Sequence, residues 1–306
     1  MLNPLISIVI ASSRKDRNKL SACLDSIYKG SFPAASFEVI VVDSGAGDEA
    51  KDYLLETAKS RPNLVPAFPG FGNIGPARAR NIGIKLAKSS LVAFTDDDIS
   101  VDPQWLEKIT KAFLEHPEVA AVGGMTLPPD SLRRNPFAEY ESSIYQRYLK
   151  NGCAGSYLST TRDEHPVFTG NIAYRKEVLE KAGGFSENFP PFVYGEDGDL
   201  KERVLKMGGR FLYIDSVNYH NTEYSLASFW QKEEKRGAGI LRYRKDHYGT
   251  SRLTPLRSGS RDLKGVLHMV MNLIHLKGVK NIMGMFILGL AVVARQVGKI
   301  RYYGKV

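Results

Sequence analysis

The chain has 306 residues, 43% of them hydrophobic and 25% charged, which excludes global disorder and suits one large domain with an appendage. Its two cysteines, Cys23 and Cys153, cannot build a disulfide framework and show no metal-ligand spacing, so a reducing cytoplasmic location is expected. The net charge of +9 is unevenly placed, with 26 Lys and Arg against 29 Asp and Glu in residues 1–230 but 16 against 4 in residues 231–306.

Short apolar runs and helical periodicities alternate along the N-terminal part. Residues 1–5 lack the basic flank of a signal peptide, and 6–11 read as a buried strand too short for an export core. A helix is expected over 19–28, with Leu20, Leu24 and Ile27 on one face. A strand at 37–42, a helix at 48–60 with Asp48 suited to its cap, and a weak strand at 64–68 follow. The next helix spans 76–88, with Pro76 in a tolerated first-turn position, and leads to a strand at 91–95. A helix over 103–116, capped best by Asp102, and a strand at 119–123 complete this part. The rhythm predicts a mostly parallel sheet covered by helices on both faces, with ligands bound beyond the carboxyl ends of its strands.

Residues 127–165 are rich in Tyr, Ser and Gly and read as an irregular substrate loop or flap. Regular structure is expected again at 168–174, in a helix over 175–182, in a helix over 196–207, and in two strands at 211–214 and 217–220. Before the second of these helices, Pro190-Pro191-Phe192 reads as a rigid turn fit to wall a pocket. From 231 onward the chain is basic, with an uncharged apolar run at 281–294. Fourteen residues fall short of the roughly 20 that span a bilayer. Two readings stay open there: a helix lying on an anionic membrane, flanked by Lys277, Lys280, Arg295, Lys299 and Arg301, or an ordinary core helix.

Chemistry concentrates in two acidic clusters. Asp96-Asp97-Asp98 follows the buried run Leu91-Val92-Ala93-Phe94. Three adjacent like charges repel, so a bound cation is the simplest reason to keep them together, and Mg2+ or Mn2+ prefers such oxygen ligands. The second cluster, Glu196-Asp197-Gly198-Asp199, opens a helix, where acids are also favoured by the helix dipole alone. A carboxylate among carboxylates holds protons more readily, which suits a base acting on a hydroxyl. His220 ends a strand and offers an imidazole to an oxygen-rich metal site. Gly70-Phe-Gly-Asn-Ile-Gly75 matches the dinucleotide fingerprint on paper, with an acid 21 residues after its last glycine. Its strand is weak and proline-bearing, and it sits on the third βα connection, so its glycines instead let the loop approach a ligand, with Arg78 and Arg80 near phosphate or base.

Taken together, these segments resemble the family 2 glycosyltransferases, the inverting type built on the GT-A fold. The resemblance covers residues 5 to about 245. It rests on Ser-Ile-Val-Ile-Ala (7–11), Val-Ile-Val-Val-Asp-Ser-Gly (39–45), Gly-Pro-Ala-Arg-Ala-Arg-Asn-Ile-Gly (75–83) and Phe-Thr-Asp-Asp-Asp (94–98). It continues in Thr-Gly-Asn (169–171), Gly-Gly-Phe-Ser-Glu-Asn-Phe (183–189) and Gly-Glu-Asp-Gly-Asp-Leu (195–200). It implies a Rossmann-like catalytic domain over 1–230, and the charge and apolar run read above set off a basic, partly apolar helical region over 231–306.

By the same resemblance, Asp43 holds the nucleobase, Arg80 lies near base and diphosphate, and Asp96 contacts ribose, with Ser12 and Asp97 beside them. Asp98 is the metal ligand of the DXD motif, His220 lies near the metal and diphosphate, and Asp197 is the catalytic base. Thr169, Gly170, Asn171 and Glu196 line the donor sugar and acceptor. The chain departs from the pattern after the first strand, where Ser12-Ser13-Arg14-Lys15 replaces Pro-Thr-Tyr-Asn, and it lacks the Gln-x-x-Arg-Trp motif of processive synthases. The implied activity is metal-dependent inverting transfer, with Mg2+ or Mn2+, from a UDP-sugar to a lipid-linked or cell-surface glycan acceptor. No nucleic acid is expected as a partner, and peripheral contact with the inner face of the membrane is. Two rivals are a nucleotidyltransferase, which would need a glycine-rich loop where Ser12 to Arg17 has no glycine, and a non-catalytic sugar-nucleotide-binding scaffold.

Overall fold

A computed structural model of the protein describes residues 3–13, 17–45, 48–70, 72, 74–149, 157–159, 168–190, 193–249 and 280–303. In chain order the elements are β1 (Ile6–Ser12), α1 (Arg17–Tyr28), β2 (Phe37–Asp43), α2 (Asp48–Ser60), β3 (Leu64–Ala67), α3 (Pro76–Leu86), β4 (Leu91–Asp96) and β5 (Ile99–Ser100). Then come α4 (Trp105–Glu115), β6 (Ala121–Leu127), α5 (Pro136–Leu149), β7 (Tyr157–Ser159), β8 (Ile172–Arg175) and α6 (Lys176–Lys181). The last are α7 (Glu196–Lys206), β9 (Phe211–His220), α8 (Leu226–Tyr248) and α9 (Lys280–Arg301). The chain divides into two compact units. One comprises Met1–Pro129, Tyr145–Glu187 and Asp197–Thr222, the other Asp130–Ile144, Asn188–Glu196 and Glu223–Val306.

The first unit is built on a nine-stranded sheet in the order β3-β2-β1-β4-β8-β6-β9-β5, with β7 against β9. Its β3-β2-β1-β4 half is parallel, as the βα rhythm predicts. The other half is mixed: β8 runs antiparallel to β4 and β6, β9 runs parallel to β6, and β5 and β7 run antiparallel to β9. Alternation along each strand splits the core in two. Ile6, Ile8 and Ile10 pack with Leu24 of α1 and Trp105, Ile109 and Phe113 of α4 on one face. Val9, Ile40, Val92 and Phe94 pack with Ala79 and Ile84 of α3, Leu179 of α6 and Leu200 and Val204 of α7 on the other. Each such aliphatic or aromatic side chain contributes roughly 1.5–3 kcal/mol by leaving water.

Two expectations are corrected here. The supposed loop at 127–165 contains the 14-residue helix α5 and the short strand β7, while residues 150–156 and 160–167 lie outside the described residues. Asn135 starts α5, its Oδ1 accepting from the backbone N–H groups of Phe137 and Ala138 at 2.9 and 3.1 Å. The two strands expected at 211–220 are one continuous strand of ten residues. Its irregularity appears as a register shift against β6, where Gly123 faces Tyr213 but Met125 faces Val217. The Pro191-Phe192 part of the proposed pocket wall lies outside the described residues, as do residues 250–279 of the basic region.

The second unit is helical. Phe189 and Val193 pack with Ala238, Leu241 and Tyr243 of α8, and Tyr140 of α5 and Phe229 of α8 pack with Ile287, Leu288 and Ala291 of α9. Its interior also carries ions. Glu233 is fully buried between Arg236 and Arg295, and Arg295 Nη2 donates to the Tyr140 hydroxyl at 3.1 Å. Burial works against the charge of Arg236, but Glu233 and Glu141 outweigh it and hold the guanidinium ionised. Where α8 and α9 cross, glycine lets the backbones touch: a Cβ on Gly237 would overlap the Arg295 carbonyl, and one on Gly298 the Glu234 carbonyl. None of the helices among the described residues is long and apolar enough to cross a membrane.

Candidate active site

The site begins with strand register. Ser12 of β1 stands opposite Asp43 of β2, and Ala11 opposite Asp96 of β4. Three parallel strands therefore end together, with Ser12, Asp43 and Asp96 at their carboxyl ends. The α3 helix approaches this edge after Gly70, Gly72 and Gly75, which all take positive φ (114°, 112° and 81°), a conformation that favours glycine. Arg80 of α3 is buried, donates from Nη2 to Asp96 Oδ1 at 2.9 Å, and lies 5.4 Å from the centre of the Phe185 ring. Arg78, two positions toward the helix start on another face, is exposed.

The three acids of the triplet have separate partners. Asp96 faces Arg80 and keeps 32% of its side chain accessible. Asp97 is buried and accepts the Ser12 hydroxyl at Oδ2, 2.9 Å away. Asp98 is 1% exposed, and its Oδ1 lies 3.3 Å from His220 Nε2. That pair is held by backbone: Ile99 pairs with His220 between β5 and β9, and the Asp98 carbonyl accepts from Asn221 N at 2.7 Å. The field of the cluster reaches α1, where burial pushes the Cys23 thiol well above its ordinary range and the charges of Asp97, Asp98 and Asp96 push it further. A negative field with a carboxylate and an imidazole at its floor attracts a cation. Among the described residues no three or more His, Cys, Asp or Glu converge as a metal cage. Asp98 and His220 instead fit a hard divalent ion that draws its other ligands from phosphate and water.

Thr169, Gly170 and Asn171 lead into β8, whose start lies beside the end of β4. Thr169 is buried, and the Gly170 carbonyl accepts from Asn218 Nδ2 at 2.9 Å and from Thr95 Oγ1 at 3.3 Å. Asn171 is 2% exposed, and both its amide protons are used inward, to the Met125 carbonyl at 2.8 Å and the Ser216 carbonyl at 3.1 Å. Its Oδ1 accepts from Trp105 Nε1 at 2.8 Å. The side chain closes the β6–β9 irregularity and ties it to α4, so its place is in the frame beneath Gly170. Asn171→Ala leaves two carbonyls and an indole N–H in the interior unpaired. It should lower unfolding free energy by roughly 2–4 kcal/mol, read as an earlier urea midpoint; an unchanged midpoint would remove the framing role.

The second cluster opens α7. Glu196, which belongs to the helical unit, is buried and accepts from Gly195 N at 3.1 Å. Asp197 is half-buried, and its Oδ1 accepts from Gly198 N at 2.7 Å. Asp199 is buried and takes Nε and Nη2 of Arg203 at 2.9 and 2.7 Å, one helical turn on, so it anchors the helix. Burial drives the Tyr174 hydroxyl far above its ordinary range, and the nearby charge of Asp197 adds to this against Arg203.

Sequence reasoning missed three supports. Asn81 accepts from Phe185 N at 2.8 Å and donates to the Phe185 carbonyl and Glu187, fixing the Gly183–Phe185 turn under Arg80. Asn218, fully buried, joins Gly170 to Asp102 N. Lys201, also buried, lies over the rings of Phe211 and Tyr213 at 5.5 and 5.6 Å. Asn81 stood in the Ala-Arg-Asn segment and was the one with a visible signal.

A family model described as glycosyl transferase family 2 matches residues 7–183. A glucosyl-dolichyl phosphate glucuronosyltransferase of Haloferax volcanii is 26% identical over 255 residues, covering 77% of this chain and 78% of its own. The glycosyltransferase AglE of the same organism is 30% identical over 241 residues, covering 78% of this chain and 73% of its own. Among solved structures, the mannosyltransferase PcManGT from Pyrobaculum calidifontis, in complex with GDP-Man and Mn2+, has a TM-score of 0.63 at 18% identity, covering 100% of this chain and 89% of that one. S. aureus TarS 1–349 in complex with UDP-GlcNAc has a TM-score of 0.55 at 14% identity, covering 98% of this chain and 91% of that one. At these identities the similarity of structure is a similarity of fold.

Proposed function

Because the chain belongs to glycosyl transferase family 2 and has the GT-A fold, we propose that it moves a sugar, with inversion, from a nucleotide-sugar to a hydroxyl of a lipid-linked or cell-surface glycan. The observation that carries this reading is the separation of the acidic triplet into three pairings at one sheet edge, Asp96 with Arg80, Asp97 with Ser12 and Asp98 with His220.

Asp43, at the end of β2, receives the nucleobase, and Arg80 with Asp96 orients ribose and diphosphate. Ser12 holds Asp97 inward and keeps that acid from crowding the diphosphate. Asp98 and His220 would hold Mg2+ or Mn2+, which when bound would supply positive charge against the departing diphosphate. Asp197 takes the proton of the acceptor hydroxyl as its oxygen bonds to the anomeric carbon, and the bond from that carbon to phosphate oxygen breaks on the opposite face. One displacement inverts the configuration. Thr169 and Gly170 line the sugar, and Glu196 positions Asp197 from the preceding residue. We assign UDP as the nucleotide, catalysis to the sheet-based unit, and the working place to the inner face of the cell membrane, with peripheral contact to anionic lipid.

The test is release of nucleoside diphosphate from a panel that includes UDP- and GDP-linked sugars, with and without Mn2+, with a membrane lipid extract as acceptor. Metal-dependent release from one donor is the expected result. No release from any donor would sink the proposal, and release from GDP-sugars alone would replace the nucleotide assignment.

A further inference from the structure

The α9 helix is apolar on both sides. Its inward side carries Ile287, Leu288, Ala291 and Ala294, all at most 2% exposed, but also its two mid-helix cations: Arg295 turns in to Glu233 and Tyr140, and Lys299 is fully buried. Its outward side carries Phe286 at 62% exposure, Val293 at 52%, Val297 at 36% and Ile300 at 66%. At 100° per residue these four lie within an arc of about 60°, and they run along roughly 20 Å of helix. Ordinary surface helices place charges outward and aliphatic residues inward. Here both cations of the apolar stretch are withdrawn into ion pairs and contacts beneath it, and the outer stripe from 286 to 300 carries no charge.

We propose that the outward stripe of α9 is a docking face for an anionic membrane surface, with the helix lying in the plane of the headgroups. Two further observations select this occupant. Cations flank the stripe in sequence at both ends, Lys277 and Lys280 before it and Arg301 and Lys305 after it, within a region holding 16 basic residues against 4 acidic ones. And no described helix is long and apolar enough to cross a bilayer, which leaves an interfacial position for an apolar face about 20 Å long. Phe286, Val293 and Ile300 enter the acyl boundary, and Arg301, which pairs with Glu234 but keeps 65% of its side chain accessible, lies at headgroup level beside them. The inference deepens the peripheral lipid contact proposed above and rests on that part of the reading, but depends on none of the catalytic roles.

The experiment is co-sedimentation of the full chain with vesicles of phosphatidylcholine alone and of phosphatidylcholine with phosphatidylglycerol, with no glycan and no donor present. The wild type should bind the anionic vesicles, more weakly as salt rises, and bind phosphatidylcholine little. Phe286→Ser with Ile300→Ser should weaken that binding on the order of tenfold or more, with the thermal midpoint kept because both side chains face outward. Leu114→Ser, which removes an apolar side chain 82% exposed on α4, should leave binding unchanged. Phe286→Trp gives an independent readout, a fluorescence blue shift on adding anionic vesicles. Equal binding by the double variant, no binding by the wild type, indifference to lipid charge, or a wild-type dimer that the double variant abolishes would each overturn the proposal. Because donor turnover is measured separately, failure here leaves the transferase reading standing, and the reverse holds.

Discussion

Asp197→Asn should lower kcat by roughly 10²–10⁴-fold while leaving the donor dissociation constant within a few-fold of wild type. The argument is one of elimination within α7. Asp199 is committed to Arg203 and to anchoring the helix, and Glu196 is buried with its own preceding N–H as a partner. Asp197 retains solvent access in the first turn, where its Oδ1 accepts from Gly198 N. Asparagine keeps an oxygen for that N–H, so the turn survives, but it cannot take a proton from the acceptor. Single-turnover product formation beside donor calorimetry separates the two effects. A variant with near-wild-type kcat would remove the base from Asp197, and one that loses donor binding equally would make the residue a donor contact.

Asp98→Ala should abolish the metal dependence of donor binding and lower turnover on the order of 10²-fold or more. Stability should change little. The backbone contacts that hold this corner, Ile99 with His220 and Asn221 N on the Asp98 carbonyl, do not need the carboxylate. Removing one of three clustered negative charges relieves repulsion on Asp96 and Asp97. The apo variant should therefore melt at or near the wild-type temperature. Mn2+ with nucleoside diphosphate should raise the wild-type midpoint by mass action and fail to raise that of the variant. A metal-induced shift that persists in the variant would place the ion elsewhere.

The parallel half of the sheet was legible because β1, β2 and β4 are buried on both faces and so read as apolar runs between helical periodicities, whereas the partly exposed edge strand β3 read only weakly. The Asp triplet announced itself by its own electrostatic cost. Other features left weaker traces. The α5 helix was hidden because its Tyr and Ser residues suit coil as well, and its order comes from packing, with Tyr140 edge-on to Phe229 at 5.3 Å. Asn171 was placed beside the sugar by the resemblance of its Thr-Gly-Asn segment, and its framing contacts were not legible because the β6–β9 irregularity it bridges exists only once those strands are paired. Asp98 and His220 lie far apart in sequence and meet only through the β5–β9 ladder, so their pairing was available from family resemblance alone. Of the two readings of the apolar C-terminal run, the core-helix one describes the side of α9 that packs on Tyr140 and Phe229, while the other side is exposed.

The glycine contacts between α8 and α9 carry a last consequence. Gly237 meets Arg295, and Gly298 meets Glu234, so the two backbones mesh like a key in a keyway. Sliding α9 by one residue would drive Val297 or Lys299 into the slot that only a residue without a side chain can occupy. Rolling it about its axis would expel Arg295 from Glu233 and strand a charge in the interior. The helix is thus denied the usual escape of a sticky surface, which is to turn and hide it. Its apolar side is held at one fixed angle relative to α8.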